Sequence, residues 1–211
     1  MDRRDFLRLT ATGLVVLFDI DPVDAAQPSR RQGYPEDFNS YLHVGADGVV
    51  TCFVGKIEMG QGTITSLAQL LAEELDVPFE SVRMVMGDTD RCPWDMGTFG
   101  SLSIRQFGPV LRQAGAEGRA ALLQLAAERM QVPVDRLAVR NGVVRDTAGI
   151  RNDVTYADLV GGRRIERTLS AEPALKPFRL FEVMGRSVPR PDVLEKVTGR
   201  ARYAGDIVPA T

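Results

Sequence analysis

Apolar positions along the chain follow two different periods. Tyr41-Leu42-His43-Val44 and Val49-Val50-Thr51-Cys52-Phe53-Val54 are dense in β-branched and aromatic residues, which suit a half-buried strand. Gly45-Ala46-Asp47-Gly48 lies between them, and its Asp-Gly favours a tight reversal, so the pair predicts a β-hairpin. From Thr63 to Leu75 the period changes. Leu67, Leu70, Leu71 and Leu75 recur at spacings of three and four, one face of a helix, and Asp76-Val77-Pro78 ends it. Ser81 to Met86 alternates as a strand, and Gly87 to Gly100 is a long loop holding Pro93 and Trp94.

A long helix is predicted from Ser101 or Ser103 to Met130, with Val110, Leu111, Ala114, Leu122, Leu125 and Met130 on its stripe. Pro109 sits early in it, where proline is tolerated best. Its glycines and alanines let another element approach its backbone closely. Leu137 to Arg140 and Val143 to Arg145 flank Asn141-Gly142, a second hairpin signal. Thr155 to Val160 begins a short helix, with Thr155 and Asp158 at capping-box spacing and Asp in place of the usual Glu. The order β-β-α-β-α-β-β-α predicts an α+β, two-layer domain of β-hairpins and helices over residues 38–162. A polar, proline-containing connector, 163–184, follows it.

The N-terminus has a different character. Arg3-Arg4-Asp5-Phe6-Leu7-Arg8 precedes a short apolar run, Leu14 to Phe18, and then Val23-Asp24-Ala25, a small-x-small exit, with Ala26 offering a poorer one. Charged start, short apolar stretch and small-residue exit describe an export leader. The run is too short to span a bilayer. It resembles a twin-arginine signal, which carries folded proteins to the periplasm. Residues 1–26 are accordingly set outside the fold, and 27–37 read as a linker. The alternative is an amphipathic N-terminal helix.

The 211 residues carry a net charge of -2, which offers no basic face for nucleic acid. Cys52 and Cys92 lie forty residues apart with no C-x-x-C, and His43 is the one histidine, so the three or four suitably spaced ligands of a zinc or iron–sulfur site are not expected from this chain alone and no metal ligand is assigned. Cys52 and Cys92 are expected as small buried apolar residues, a disulfide being the alternative. His43 falls within a strand and is expected there as a packed or surface strand residue rather than a catalyst.

Two loops carry candidate chemistry. Gly55-Lys56-Ile57-Glu58-Met59-Gly60-Gln61-Gly62-Thr63 runs into a helix; its glycines allow close approach, a helix start offers unpaired N–H groups, and Gln61 brings an amide. Gly97-Thr98-Phe99-Gly100-Ser101-Leu102-Ser103-Ile104-Arg105 places hydroxyls before the long helix, again an anion-binding arrangement. The competing reading makes Ser101 or Ser103 a plain N-cap.

The fuller pattern is E-M-G-Q-G-x-x-T-S-L-A-Q-L-L-A-E-E-L-D-V-P, then V-x-M-x-x-G-D-T-D, then G-T-F-G-S-L-S-I-R. It resembles the molybdopterin subunit of the xanthine dehydrogenase and aldehyde oxidase family, most nearly the isoquinoline 1-oxidoreductase type. Arg140-Asn141-Gly142-Val143-Val144 fits the same likeness, which covers residues 38 to 211. The resemblance implies that Gly60, Gln61, Gly62, Gly100, Ser101 and Ser103 hold molybdopterin or its dinucleotide form. It departs at Phe99, where the family often has glycine, and at Leu102, where it often has threonine.

From Gly185 to Ile207 the chain is similar to the opening of the family's hammerhead domain, so 185–211 are expected to begin that segment. The family's remaining cofactor loops and its catalytic glutamate have no counterpart here. No catalytic residue is assigned, and the chain alone is expected to be inactive. Glu58, Glu73 and Glu74 are poor substitutes for that glutamate, being better explained by solvated helix faces. The resemblance implies a hydroxylase or dehydrogenase that oxidises aldehydes or N-heterocycles with water-derived oxygen. Its partners would be the rest of the molybdopterin subunit on another chain, an iron–sulfur subunit, and a cytochrome c beyond it. The alternatives are a non-catalytic fragment or accessory cofactor-binding module, and an exported α+β binding domain without cofactor.

Overall fold

The structure, a computed structural model, describes residues 12–18, 40–168 and 173–208. Its strands are β1 (Gly13–Phe18), β2 (Ser40–Val44), β3 (Val50–Val54), β4 (Val82–Met86), β5 (Leu137–Arg140), β6 (Val143–Asp146), β7 (Val154–Thr155) and β8 (Arg164–Thr168). The α-helices are α1 (Thr63–Leu75), α2 (Gly108–Met130), α3 (Tyr156–Val160) and α4 (Val193–Val197). Five strands pair in the order β4-β3-β2-β1-β8, and β5-β6-β7 form a second, smaller sheet. The architecture is the α+β, two-layer one, with α1 and α2 packed on one face of the large sheet.

Strand alternation divides the core. Leu42, Val44, Val50, Cys52 and Val54 face the helices. Tyr41 and Phe53 face the other way, stacked at 4.4 Å, and the loop after β4 covers them with Cys92. Both cysteines are free and buried. The Tyr41 hydroxyl donates to the Arg91 carbonyl at 3.1 Å, tying that loop to the sheet. On the helix side α1 crosses α2 at small residues. A Cβ on Gly115 would stand 2.9 Å from Glu74 Cβ, so the close approach depends on glycine there. The second hairpin turns on Asn141 and Gly142, both at positive φ. Thr155 and Asp158 form the reciprocal capping box at the start of α3.

The structure corrects the N-terminal boundary. Gly13–Phe18, set outside the fold with residues 1–26, are β1, antiparallel to β2 and parallel to β8. Leu14 to Phe18 are each at most 1% exposed. Leu14, Val16 and Phe18 join the helix-side core, while Val15 and Leu17 join Tyr41 and Phe53. A strand buried on both faces reads as an unbroken apolar run, which is also how a leader reads. Arg3 to Arg8, Val23-Asp24-Ala25 and the linker 27–37 lie outside the described residues.

The described parts of the 163–184 connector, 163–168 and 173–184, are also more ordered than its polarity suggests. It opens with β8, whose Arg-Ile-Glu-Arg-Thr sequence suits a charged sheet edge. Further on it is strapped to the end of α1. Glu73 and Glu74, expected on a solvated face, are fully buried. Glu73 accepts from Lys176 Nζ at 2.8 Å and from the N–H groups of Glu182, Val183 and Met184 at 3.0, 2.7 and 2.9 Å. Glu74 accepts from Arg112 Nε at 2.7 Å and from the Lys176 N–H at 3.0 Å. A buried carboxylate must be paired, and these two are paired to the strap. Burial alone would raise the Glu73 pKa, but Lys176 and the three N–H donors hold it below the usual carboxylate range.

Candidate cofactor site

The two glycine-bearing loops lie side by side. The Ile57 N–H donates to Thr98 Oγ1 at 2.9 Å. Lys56 Nζ reaches Asp95 Oδ1 and the Gly97 carbonyl, each at 2.8 Å. Lys56 is buried, so this ammonium bolts one loop to the other rather than meeting solvent.

Between them opens a cavity of about 410 Å³. Met59, Gln61, Thr63 and Ser66 line one side, and Thr98, Phe99, Gly100, Ser101, Ser103 and Ile104 the other. Four of the six residues assigned from sequence therefore line one cavity: Gln61 from one side, and Gly100, Ser101 and Ser103 from the other. Gly60 and Gly62 do not line it. They shape the turn behind Gln61, at φ 100° and 80°, a region closed to ordinary side chains. Thr63, Ser66, Thr98, Met59 and Ile104 were missed. Their hydroxyl and apolar types were visible, but their convergence depends on the loops being bolted together.

The start of α1 is not the vacant anion site that its glycines suggested. Glu58 folds back over it. Its carboxylate accepts from the N–H groups of Gly60, Gly62 and Ile64 at 2.8, 2.9 and 3.0 Å. Partial burial works to raise its pKa, yet these donors and Arg190, 3.7 Å away, hold the carboxyl below the usual range. Glu58 is thus the anion that the helix start attracts. Arg190 also donates to the Gly60 carbonyl at 2.9 Å and is forked by Asp192 at 3.0 and 2.7 Å. The tail therefore braces the loop from outside.

Gln61 is likewise turned inward. Its Oε1 accepts from the Met59 N–H at 2.5 Å and its Nε2 donates to the Ile57 carbonyl at 3.1 Å. One amide hydrogen remains for a ligand.

The second loop differs. Neither Ser101 nor Ser103 caps the following helix, which begins with a π-helical turn, Ser103–Phe107, that has no side-chain cap. Ser101 is held at φ 55°, unusual for a residue with a side chain. Strained backbone and π-turns concentrate at functional sites. Among the described residues no ionisable side chain lines the cavity, so an anionic group there would be held by hydroxyls and backbone N–H groups. Met59, Phe99 and Ile104 are 63%, 52% and 45% exposed and supply flat apolar surface. A fused heteroaromatic ring with a phosphate tail fits that mixture in chemistry, and the volume lies in the ordinary range for such sites.

His43 lies away from this cavity. Its Nε2 pairs with the Thr12 carbonyl at 2.8 Å, a packing role at the head of β1.

Comparison with known proteins matches residues 13–185 to the molybdopterin cofactor-binding domain family. The chain belongs to that family. It is 36% identical over 167 residues to a nicotinate dehydrogenase chain of Pseudomonas putida, covering 79% of this chain and 14% of that one. It is 32% identical over 208 residues to the beta chain of isoquinoline 1-oxidoreductase from Brevundimonas diminuta, covering 80% of this chain and 26% of the relative. The matched stretch thus spans between about a seventh and a quarter of these relatives' length. Among solved structures it is similar to a carbon monoxide dehydrogenase of Oligotropha carboxidovorans, with TM-score 0.51 and 27% identity over 57% of this chain and 15% of that one. The match to the molybdopterin-binding domain begins at Gly13, the first residue of β1.

Proposed function

We propose that this chain forms one wall of the molybdopterin site in a hydroxylase or dehydrogenase acting on N-heterocycles or aldehydes. The observation that carries the reading is the convergence of Gln61, Gly100, Ser101 and Ser103 on one neutral, hydroxyl-rich cavity, in a chain of this family. Two of the relatives are named for N-heterocyclic substrates.

When bound, molybdopterin carries the metal at which a two-electron oxidation with water-derived oxygen takes place. This chain's residues bind and orient. Ser101 and Ser103 donate to the phosphate, or to the pyrophosphate of a dinucleotide form. Met59, Phe99 and Ile104 cover ring surface and exclude water. Gln61 offers its remaining N–H, while Glu58 and Arg190 keep the Gly60-Gln61-Gly62 turn in shape. Among the described residues no carboxylate lines the cavity to act as a base, so chemistry needs residues from elsewhere. The rest of the molybdopterin subunit on another chain is the first partner, an iron–sulfur subunit takes the electrons, and a cytochrome c receives them in turn. The exposed apolar residues of the connector and tail support such a partner: Phe178, Leu194, Val197, Tyr203 and Val208 leave the surface unfinished.

The test is co-purification with the partner chains from the native host, followed by molybdenum and pterin analysis of wild type and Ser101→Ala/Ser103→Ala. A drop in pterin content with unchanged assembly supports the reading, as does the absence of turnover by the partner-free chain. Full pterin content in the variant, or turnover of a heterocycle by the isolated chain, contradicts it.

A further inference from the structure

The apolar run behind the Arg3-Arg4 pair has two incompatible uses. In a leader it would lie in a membrane and then leave with the cleaved peptide. In the structure it is β1, with a backbone ladder on each side. We propose that Gly13–Phe18 are a permanent strand of the working protein, and that the leader-like segment is not lost by cleavage at Val23-Asp24-Ala25 or Ala26.

Three independent observations carry this. The first is fit. A Cβ on Gly13 would lie 2.4 Å from His43 Nε2 and 2.5 Å from the Val44 carbonyl oxygen, at φ 126°. The Gly13 N–H donates to the Arg163 carbonyl at 2.7 Å. A stretch resting on the fold by apolar attraction alone would need neither a glycine nor a register. The second is dependence. Among the described residues β8 has no strand neighbour but β1, and Val15 and Leu17 complete the small core with Tyr41, Phe53 and Cys92. Removing β1 would strand β8 and open both faces of the sheet to water. The third is the family match, which starts at Gly13 and so includes the strand.

The consequence reaches the cofactor cavity. Phe18 stacks on Phe107 with ring centroids 6.3 Å apart, and Phe107 closes the π-helical turn that begins at Ser103. Loss of β1 would remove the packing beneath that turn. Folding and membrane insertion compete for the same six residues, so a chain with its sheet complete presents no apolar leader to a membrane.

The inference stands apart from any reaction, because its readouts are mass and hydrogen exchange. The complex purified from the native host should contain one copy of residues 13–18 per chain. That copy would be either continuous with β2 or, if the intervening segment is nicked, a peptide that co-purifies. A stable complex whose chain starts at Ala26 or Gln27, with no retained peptide, overturns the proposal. In the same full-length material, amides of Val15 to Leu17 should exchange within tenfold of those of Tyr41 to His43. Exchange at the unprotected rate, with β2 still protected, overturns it independently.

Discussion

Glu58→Ala is the most informative single perturbation of the candidate site. The residue stands at the start of α1 and accepts three backbone N–H groups at 2.8–3.0 Å. Hydrogen bonds to a charged acceptor contribute roughly 1.5–3 kcal/mol net when well buried. Glu58 is partly exposed, so water would refill some of the site, and the helix-cap scale of about 0.5–2 kcal/mol is the nearer guide. A loss of about 1–3 kcal/mol follows, or roughly 2–12 °C in Tm at about 2–4 °C per kcal/mol for a chain of this size. Hydrogen exchange at Gly60, Gly62 and Ile64 should accelerate about five- to 150-fold, since about 1.4 kcal/mol is tenfold. Glu58→Gln, which keeps one accepting oxygen, should fall between. The pH dependence has a definite sign. The Glu58 pKa is lowered in the folded state, so its contribution is complete above the unfolded carboxylate value and is lost as pH falls through the folded one. Wild-type loop protection should fade in acid, and in Glu58→Ala it should be flat over that window. Unchanged exchange at Gly62 and Ile64 in Glu58→Ala would refute the capping role.

Glu73→Ala leaves the N–H groups of Glu182, Val183 and Met184 without their acceptor and Lys176 with Asp76 alone; removing one member of a buried pair costs about 3–5 kcal/mol, the remaining Asp76 contact places the loss at the lower end, and a denaturation loss under about 1 kcal/mol would contradict the strap. Glu73→Leu/Lys176→Met should recover part of that loss, as read by the same melts. Ser101→Gly relieves the left-handed backbone and should stabilise the unliganded chain by about 1 kcal/mol while lowering pterin retention, measured by melting and pterin assay together. Gln61→Ala removes bonds to Met59 and Ile57 as well as any ligand contact, so a modest stability loss of about 0.5–1.5 kcal/mol should accompany weaker pterin binding. Because β1 occupies the apolar run that a leader needs, replacing Arg3 and Arg4 by lysine should leave the chain's distribution in fractionated cells unchanged; a loss of periplasmic delivery would show that the run serves as a leader before the sheet forms.

The elements that periodicity and turn chemistry specify locally were legible. The Asp47-Gly48 and Asn141-Gly142 reversals, the leucine stripe of α1 and the Thr155–Asp158 box are short-range patterns, and each stands where the sequence places it. What escaped depends on neighbours distant in the chain. β1 lacks alternation because both of its faces are covered, one by helices and one by Tyr41 and Phe53. β8 looks like a linker because an edge strand tolerates charge. The buried Glu73 and Glu74 look solvated because their partners, Lys176 and Arg112, are 103 and 38 positions away. The loops of the site were found from glycines and hydroxyls at helix starts, but Glu58 at the α1 start could not be told from an ordinary surface acid. Only its distances to three N–H groups reveal that it occupies the place a phosphate would take.

The central claim is that the loops at 55–63 and 97–105 together form a molybdopterin-binding wall. A density map of the cofactor-loaded complex, purified with its partner chains, tests this most directly. The account predicts pterin or phosphate atoms within hydrogen-bond distance of Ser101 and Ser103, ring surface against Phe99 or Met59, and Glu58 still seated on the start of α1. A cofactor bound elsewhere, with this cavity filled only by solvent or by a partner side chain, would contradict it.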